Sequence, residues 1–211
     1  MLWISLAKET AHQLGTPVSN LQGWVELLKE HPENATIAEE LRKDVSRLQL
    51  VTDRFGKIGN TPQLITEYPA KRIEEVVQYM KRRMGGQVNI ECNLDEIQSI
   101  STRISPPLFD WVIENIIKNA LDALEGKGII EISATRLQNN LLIDITDNGK
   151  GMEPATAQKA FETGFTTKKR GWGIGLALTR RIVEQYHKGK ISIRWSDPGK
   201  GSCFRIELPI Q

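Results

Sequence analysis

The sequence predicts two structural units, an all-α helical hairpin over residues 1–59 and an α+β sandwich over residues 60–211. Three observations lead to this fold class. The first part repeats apolar residues with the heptad spacing of packed helices. A cluster of helix-breaking residues follows it. Beyond that cluster, alternating strand patterns are mixed with helical ones, which favours helices packed on one face of a mixed sheet.

The first helix is predicted from apolar residues that are spaced alternately by three and four positions. They are Ile4, Ala7, Ala11, Leu14, Val18, Leu21, Val25 and Leu28. Pro32 disfavours continuation of this helix, and a second helix with the same spacing runs from Ile37 to Ile58. One such hairpin leaves half of its apolar stripe in water, so we expect a homodimer in which two hairpins form a four-helix bundle. The alternative is a hairpin that docks on the second unit.

The second unit begins after a linker that is predicted from Gly56, Gly59 and Pro62. Proline in the first turn favours a helix that starts at Pro106. The predicted helices span residues 106–124 and 174–187, and the predicted strands span residues 88–94, 129–136, 141–147, 191–195 and 202–208.

The composition excludes several kinds of partner. The formal net charge of +2 gives no electrostatic reason to expect nucleic acid or an anionic membrane. No apolar run approaches the ~20 residues that span a bilayer. Cys92 and Cys203 lie far apart in the sequence, which predicts buried free thiols in a reducing environment. We therefore expect a soluble, cytoplasmic segment of a longer protein, whose upstream region can carry a membrane anchor.

Four glycine-punctuated segments stand in a fixed order in the second unit: ENIIKNA at 114–120, DNGKGM at 147–152, FETGFTTK at 161–168 and GWGIGL at 171–176. Each alone is typical of an ordinary helix or loop. Together they resemble the nucleotide-binding boxes of the histidine kinase ATPase domain. The run AHQLGTP at 11–17 resembles the phosphoacceptor segment of the same proteins. The chain thus resembles the catalytic core of a two-component sensor histidine kinase over nearly its whole length.

The first box carries two asparagines on one helix face, because Asn115 and Asn119 are four residues apart. Their amide oxygens are hard, neutral ligands that suit Mg²⁺. The resemblance implies that Asn119 binds Mg²⁺ and that Asn115 is a phosphate-side or metal-shell contact. DNA gyrase and mismatch-repair ATPases share this fold but carry a glutamate at position 115 as general base for water. Asn115 therefore favours a kinase over a hydrolase.

The second box is implied to bind adenine. By resemblance, Asp147 accepts a hydrogen bond from the adenine amino group, a charge-assisted bond worth ~1.5–3 kcal/mol. Gly149 and Gly151 let the backbone turn sharply and approach the base. The alternative for this segment is a simple turn without a ligand.

The remaining boxes are implied to hold the triphosphate of ATP. Gly171, Gly173 and Gly175 precede a helix, so backbone N–H groups and the helix N-terminus can bind phosphate oxygens, and Leu176 belongs to the same box. The third box resembles a mobile lid over the nucleotide. In it, Lys168 is the candidate for a contact with the γ-phosphate.

The phosphoacceptor is expected to be His12, since neutral imidazole is a competent nucleophile near pH 7. The resemblance implies that Thr16 orients a water that dephosphorylates the partner response regulator. Gln13 departs from the family, which commonly has Glu or Asp there. An amide can orient the ring but cannot hold its proton, so we expect slowed autophosphorylation.

These roles combine into one predicted function. Mg-ATP phosphorylates His12, and the phosphoryl group then passes to an aspartate in the receiver domain of a response regulator, with response-regulator phosphatase activity as a second capacity. Two alternatives stay open. One is a gyrase-like ATPase, and the other is an ATP-binding dimeric scaffold without kinase activity.

Overall fold

A computed structural model describes the chain over residues 2–42, 44–46, 48, 62–83, 88–168 and 173–210, and of residues 2–12 and Pro32 it describes the backbone alone. The chain divides into two compact units, Met1–Pro62 and Gln63–Gln211. Within the described ranges, none of the helices combines the length and the apolar content needed to cross a bilayer.

The first unit is helical. Helix α1 spans Leu2–Lys29 and continues through Pro17. It gives way to a 3₁₀ turn at Pro32–Asn34, where the proline ring removes a backbone donor. Helix α2 follows and is described at residues 35–42, 44–46 and 48.

The apolar stripe of this unit is half covered within one chain. Val18 and Val25 of α1 cluster with Val45 of α2 and are buried. Of the other large apolar side chains described in the two helices, Leu28 is half-buried and the rest are exposed: Leu14, Leu21, Trp24, Leu27, Ile37, Leu41 and Leu48. This burial agrees with the expectation that one hairpin leaves much of its stripe uncovered. The four-helix bundle itself stays a prediction.

The second unit is built on a five-stranded sheet in the order β2-β4-β5-β7-β6. Its strands are β2 (Val88–Asn93), β4 (Gly128–Leu137), β5 (Asn140–Asp147), β6 (Lys190–Asp197) and β7 (Gly201–Pro209). The pair β2–β4 is parallel and the other pairs are antiparallel. Two short strands, β1 (Ile65–Glu67) and β3 (Thr102–Ile104), form a separate antiparallel pair.

Four helices accompany the sheet: α3 (Pro69–Lys81), α4 (Pro106–Leu124), α5 (Pro154–Lys159) and α6 (Gly175–Arg181). The last continues directly into a π-helical turn, Ile182–Tyr186. The α+β fold predicted from the sequence is therefore confirmed. The expected helix over 174–187 divides into an α-helical part and this wider turn, which ends at His187.

The core lies between the helices and one face of the sheet. Alternate residues of β4, β5 and β7 share that face, as in the register Ile132–Ile145–Phe204. The same alternation puts Asp147, opposite Ile130, at the end of the core face. Cysteine burial corrects one expectation: Cys203 is buried, but Cys92 is exposed on β2, which is one of the two edge strands of the sheet.

Candidate functional site

Helix α4 carries the first group of predicted site residues. It begins with two prolines, whose missing N–H groups cost nothing in a first turn. One face of the helix is buried and consists of Leu108, Phe109, Val112, Ile113, Ile116, Ile117, Ala120 and Leu124. Asn115, Asn119 and Asp122 recur at spacings of four and three and form a polar row along the border of this buried face. The core thus fixes this helix and leaves its polar row for a ligand.

A buried histidine fixes the start of α4. The backbone N–H of Ser105 donates to Nε2 of His187 over 3.0 Å, and Nδ1 of the same ring lies 3.1 Å from the carbonyl oxygen of Ile182. Because a carbonyl only accepts, Nδ1 carries the proton and the ring is neutral. Burial lowers the pKa of His187 to about 4. The ring therefore ties the π-helical turn to α4, a role that the sequence analysis missed.

Asn115 contacts helix α6. Its Nδ2 donates to the hydroxyl of Thr179 over 2.9 Å, and that hydroxyl donates to the carbonyl oxygen of Gly175 over 3.0 Å. A Cβ on Gly175 would lie 2.8 Å from Asn115 Oδ1, so a glycine is needed for this close approach. The structure thus brings the predicted residues of the first and last boxes together. The sequence did not indicate Thr179.

Lys168 contacts helix α4 from the segment that follows α5. Its ammonium donates to Asn119 Oδ1 over 2.8 Å and to Asp122 Oδ2 over 2.5 Å. Among the described residues, Asn119 Nδ2 is buried without a hydrogen-bond partner. A buried donor of this kind fits an acceptor supplied by a ligand. Asp122 was not predicted, although it lies three residues after Asn119 on the same side of α4.

Asp147 lies at the end of β5 and is only 3% exposed. Its Oδ1 accepts the backbone N–H of Gly149 over 2.9 Å. Burial raises the pKa of Asp147 above its usual range, and hydrogen bonds from the Gly149 and Ser202 backbones oppose this effect. Gly149 lies so close to Ala123 that a Cβ would be 2.6 Å from its carbonyl carbon. The loop after β5 therefore packs closely against α4, and the Asp147 carboxylate lies where this loop begins.

The third and fourth boxes are joined by their backbones. Gly164 donates its N–H to the carbonyl oxygen of Gly173 over 3.0 Å. Gly173 has a φ of 63°, and a Cβ there would lie 2.4 Å from the carbonyl carbon of Gly164. Leu176 is half-buried in the first turn of α6, and Gly171 lies outside the described residues.

The remaining predicted residues belong to the first unit. His12, Gln13 and Thr16 all lie in α1, and the side chains of Gln13 and Thr16 are exposed. Of His12 the structure describes the backbone. Because Thr16 follows His12 by four residues within one helix, both lie on the same side of it.

The donor set of the α4 row fits Mg²⁺. Within the described ranges no three His, Cys, Asp or Glu residues cluster as a metal cage. Mg²⁺ uses one or two protein ligands together with waters and substrate phosphates. The amide oxygens of Asn115 and Asn119 can provide such a partial set.

Comparison with known proteins agrees with this arrangement. Residues 104–211 match the family described as histidine kinase-, DNA gyrase B-, and HSP90-like ATPases. This is more than half of the chain, and the chain belongs to this family. This match and the kinase relatives described next together confirm the resemblance to a sensor histidine kinase catalytic core.

Several relatives and solved structures cover nearly the whole chain. Sporulation kinase E of Bacillus subtilis (strain 168) is 30% identical over 98% of this chain, which spans only 28% of that protein. Full-length ShkA in complex with AMPPNP has a TM-score of 0.79 at 20% identity, over 98% of this chain and 46% of that one. Histidine kinase ThkA in complex with response regulator protein TrrA has a TM-score of 0.63 at 21% identity, over 98% of this chain and 61% of that one. Both structures share the fold.

Proposed function

We propose that this chain is the kinase core of a two-component system. It binds ATP with Mg²⁺, phosphorylates His12 and transfers the phosphoryl group to an aspartate of a response regulator. The observation that carries the proposal is an ATPase-family domain with an asparagine at position 115, in one chain with a helix that carries His12. The relatives support it, because sporulation kinase E and ThkA are named as kinases and ThkA was solved with a response regulator.

Adenine is bound at the loop after β5. The buried carboxylate of Asp147 accepts a hydrogen bond from the adenine amino group. The backbone at Gly149, held close to α4, lies beside the base. Gly151 assists because its φ of 64° belongs to the left-handed region that glycine adopts without strain. A nucleoside with a carbonyl in place of the amino group offers no donor to Asp147 and binds more weakly.

The triphosphate is bound between α4 and the start of α6. Backbone N–H groups of Gly171, Gly173 and Gly175, with Leu176 in the first turn, surround its oxygens. Asn119 holds Mg²⁺, whose charge neutralises the phosphate oxygens when it is bound. Lys168 contacts the γ-phosphate from the lid segment, which is joined to the glycine-rich loop through the Gly164–Gly173 hydrogen bond.

Phosphoryl transfer ends on a ring nitrogen of His12. The nitrogen lone pair forms a bond to the γ-phosphorus, while the bond from that phosphorus to the bridging oxygen breaks and ADP leaves. The proton on the other ring nitrogen is released to water, because the amide of Gln13 cannot hold it. The phosphoryl group then passes to an aspartate of the receiver domain. In the separate phosphatase reaction, Thr16 directs a water to that aspartyl phosphate, which is hydrolysed to aspartate and inorganic phosphate.

Dimerisation completes the helical unit. The exposed apolar row of α1 and α2 is large for a surface in water, and its burial in a second copy gives a four-helix bundle. The homodimer is thus part of the proposal.

A hydrolase is the weaker alternative. The glutamate nearest to position 115 is Glu114, and its carboxylate is engaged with Lys118 over 2.6 Å one turn along the helix. A residue one position away points ~100° around the helix from Asn115. Neither side chain offers the general base that such an ATPase needs.

The direct test uses ATP labelled in its γ-phosphoryl group, with Mg²⁺ and the 211-residue chain. We expect an acid-labile, base-stable phosphoryl group on the protein. His12→Ala abolishes it, whereas His31→Ala, a change in an exposed histidine of the same unit, does not. Steady phosphate release without labelled protein would favour the hydrolase. Nucleotide binding without labelling would favour a scaffold.

A further inference from the structure

The orientation of the Asn115 amide is set by a residue far away in the sequence. Thr179, 64 positions later, is fully buried on α6 and receives Asn115 Nδ2 at 2.9 Å. The same hydroxyl lies 3.0 Å from the carbonyl oxygen of Gly175. The two side chains and this carbonyl form one short hydrogen-bonded chain between α4 and α6.

Donors and acceptors can be assigned to these two hydrogen bonds in only one way. A threonine hydroxyl has a single hydrogen, and a backbone carbonyl can only accept. The hydroxyl hydrogen of Thr179 therefore goes to Gly175, and Thr179 must accept its second bond. Of the two ends of the Asn115 amide only the NH₂ group can donate. The NH₂ group faces Thr179, and Oδ1 faces Gly175, 2.8 Å from the position of a Cβ there.

We propose that Thr179 is a positioning residue that holds the NH₂ end of Asn115 and so turns its oxygen towards the nucleotide site. This inference rests on the proposed function and refines it. An amide oxygen and a phosphate oxygen are both acceptors and cannot bond to each other, whereas an amide oxygen can bind Mg²⁺ or accept from a metal-bound water. Asn115 thus acts in the metal shell through Oδ1, which is the second of the two roles that the sequence left open.

A purely local role for Thr179 has different consequences. Threonine in a helix often donates to the carbonyl four residues earlier. Its loss would then change the stability of α6 and weaken every mode of nucleotide binding alike. A positioning role instead weakens only the part of the binding that depends on Mg²⁺.

The test is calorimetric titration of the 211-residue chain with ADP, once with Mg²⁺ and once with EDTA. Thr179→Val keeps the shape of the side chain and removes the hydroxyl. We expect it to reduce the affinity gained from Mg²⁺ by about five- to tenfold, the range of one neutral hydrogen bond, and to leave binding in EDTA within about twofold. Thr179→Ser keeps the hydroxyl and should behave as the parent chain.

Two further variants test the coupling to Asn115. Asn115→Ala should lose the same Mg²⁺-dependent gain, and adding Thr179→Val to it should cost nothing more, because the two residues act as a pair. Asn115→Asp offers oxygens in either orientation and should keep the gain. Thermal unfolding of each variant establishes whether it is folded. If Thr179→Val does not fold, the Asn115 variants still test the proposal.

Three results would overturn the inference. One is equal weakening of binding in Mg²⁺ and in EDTA by Thr179→Val. Another is loss of the Mg²⁺-dependent gain in Asn115→Asp. The third is full additivity of the two single changes. If the parent chain binds ADP under neither condition, the proposed function fails, and the role of Thr179 fails with it.

Discussion

The ammonium group of Lys168 lies 2.8 Å from Oδ1 of Asn119, the oxygen that we assign to Mg²⁺. Asp122 holds the same ammonium at 2.5 Å. A lysine in this position is a cation tethered to the metal-ligand face of α4. Under the proposed function, Mg²⁺ and Lys168 compete for one oxygen, and we expect nucleotide binding to move the lysine from Asp122 towards phosphate.

Weakening the tether should favour Mg²⁺-dependent binding. In Asp122→Asn, Lys168 loses its ionic partner, and we expect the affinity for Mg-ADP to rise by about two- to fivefold, the range of an exposed ion pair. Titration calorimetry measures this change. Glu131→Gln removes another exposed carboxylate, from β4, and should change nothing. A lower Mg-ADP affinity in Asp122→Asn would indicate that Asp122 binds the metal instead.

We expect the buried carboxylate of Asp147 to destabilise the folded chain and to strengthen ADP binding. Its pKa is raised by burial, so the folded state holds the proton more tightly than the unfolded chain, and stability falls as the pH rises from the usual aspartate pKa through the folded one. At pH 7, Asp147→Asn should therefore unfold at an equal or higher temperature. The same change should weaken ADP binding about 10- to 100-fold, since it removes one charged hydrogen bond.

A neighbouring carboxylate provides the matched control. Asp144 lies on the opposite face of β5 and pairs with Arg205 through two hydrogen bonds of 2.7 and 2.6 Å. Asp144→Asn should lower the unfolding temperature and leave ADP binding unchanged. If Asp147→Asn and Asp144→Asn lower stability equally, the interpretation of Asp147 as a destabilising ligand group is wrong.

His187 should make stability sensitive to acid. Its folded pKa of about 4 lies below the ordinary value of 6.5, so the unfolded chain binds the proton more readily. Stability is then full above pH 6.5 and is lost as the pH falls from there to about 4. The loss reaches about 3 kcal/mol at most, because each pKa unit corresponds to 1.36 kcal/mol.

Urea unfolding of the chain at pH 7 and at pH 5 measures this dependence. His187→Gln should be less stable than the parent at pH 7, since it breaks the link between Ser105 and Ile182, and its stability should change less between the two pH values. His31→Ala, in an exposed histidine, should retain the parent pH dependence. Unaltered pH dependence in His187→Gln would mean that other groups cause it.

The residue after the phosphoacceptor should limit the rate of autophosphorylation. Gln13→Glu introduces a carboxylate that can take the proton of the His12 ring, and general-base help is worth ~10²–10⁴ in rate when geometry is ideal. We expect a rate increase of at least about tenfold, measured as the initial rate of label incorporation from γ-labelled ATP. Gln22→Glu adds the same charge to the same helix and should leave the rate unchanged. Equal rates in the two variants would remove the role assigned to Gln13.

The sequence determined the features that depend on local signals. Helix α4 was predicted with its observed bounds, because two prolines open it and its apolar period is regular. The strands were predicted within one or two residues, since period-two alternation and turn residues delimit them. The same patterns missed α3 and the short pair β1–β3. Helix α3 ends without a glycine, and it is tied to α4 by the pairing of Arg72 with Asp110 in addition to its buried apolar face.

The sequence motifs predicted only some of the residues of the candidate site. Asn115, Asn119 and Asp147 could be proposed from spacing and resemblance. Thr179 and Asp122 gained their roles only because α6 and the lid segment meet α4 in the folded chain.

The sequence by itself thus determined the helix and strand patterns, the apolar stripe of the first unit and the order of the four boxes. The tertiary structure decided which polar groups meet. It buried Val18 while leaving Leu14 exposed, and it joined His187 to Ser105 across 82 positions. The physical reason is that periodicity reports the face on which a residue lies, whereas a hydrogen bond also requires a partner at a set distance, supplied by distant parts of the chain.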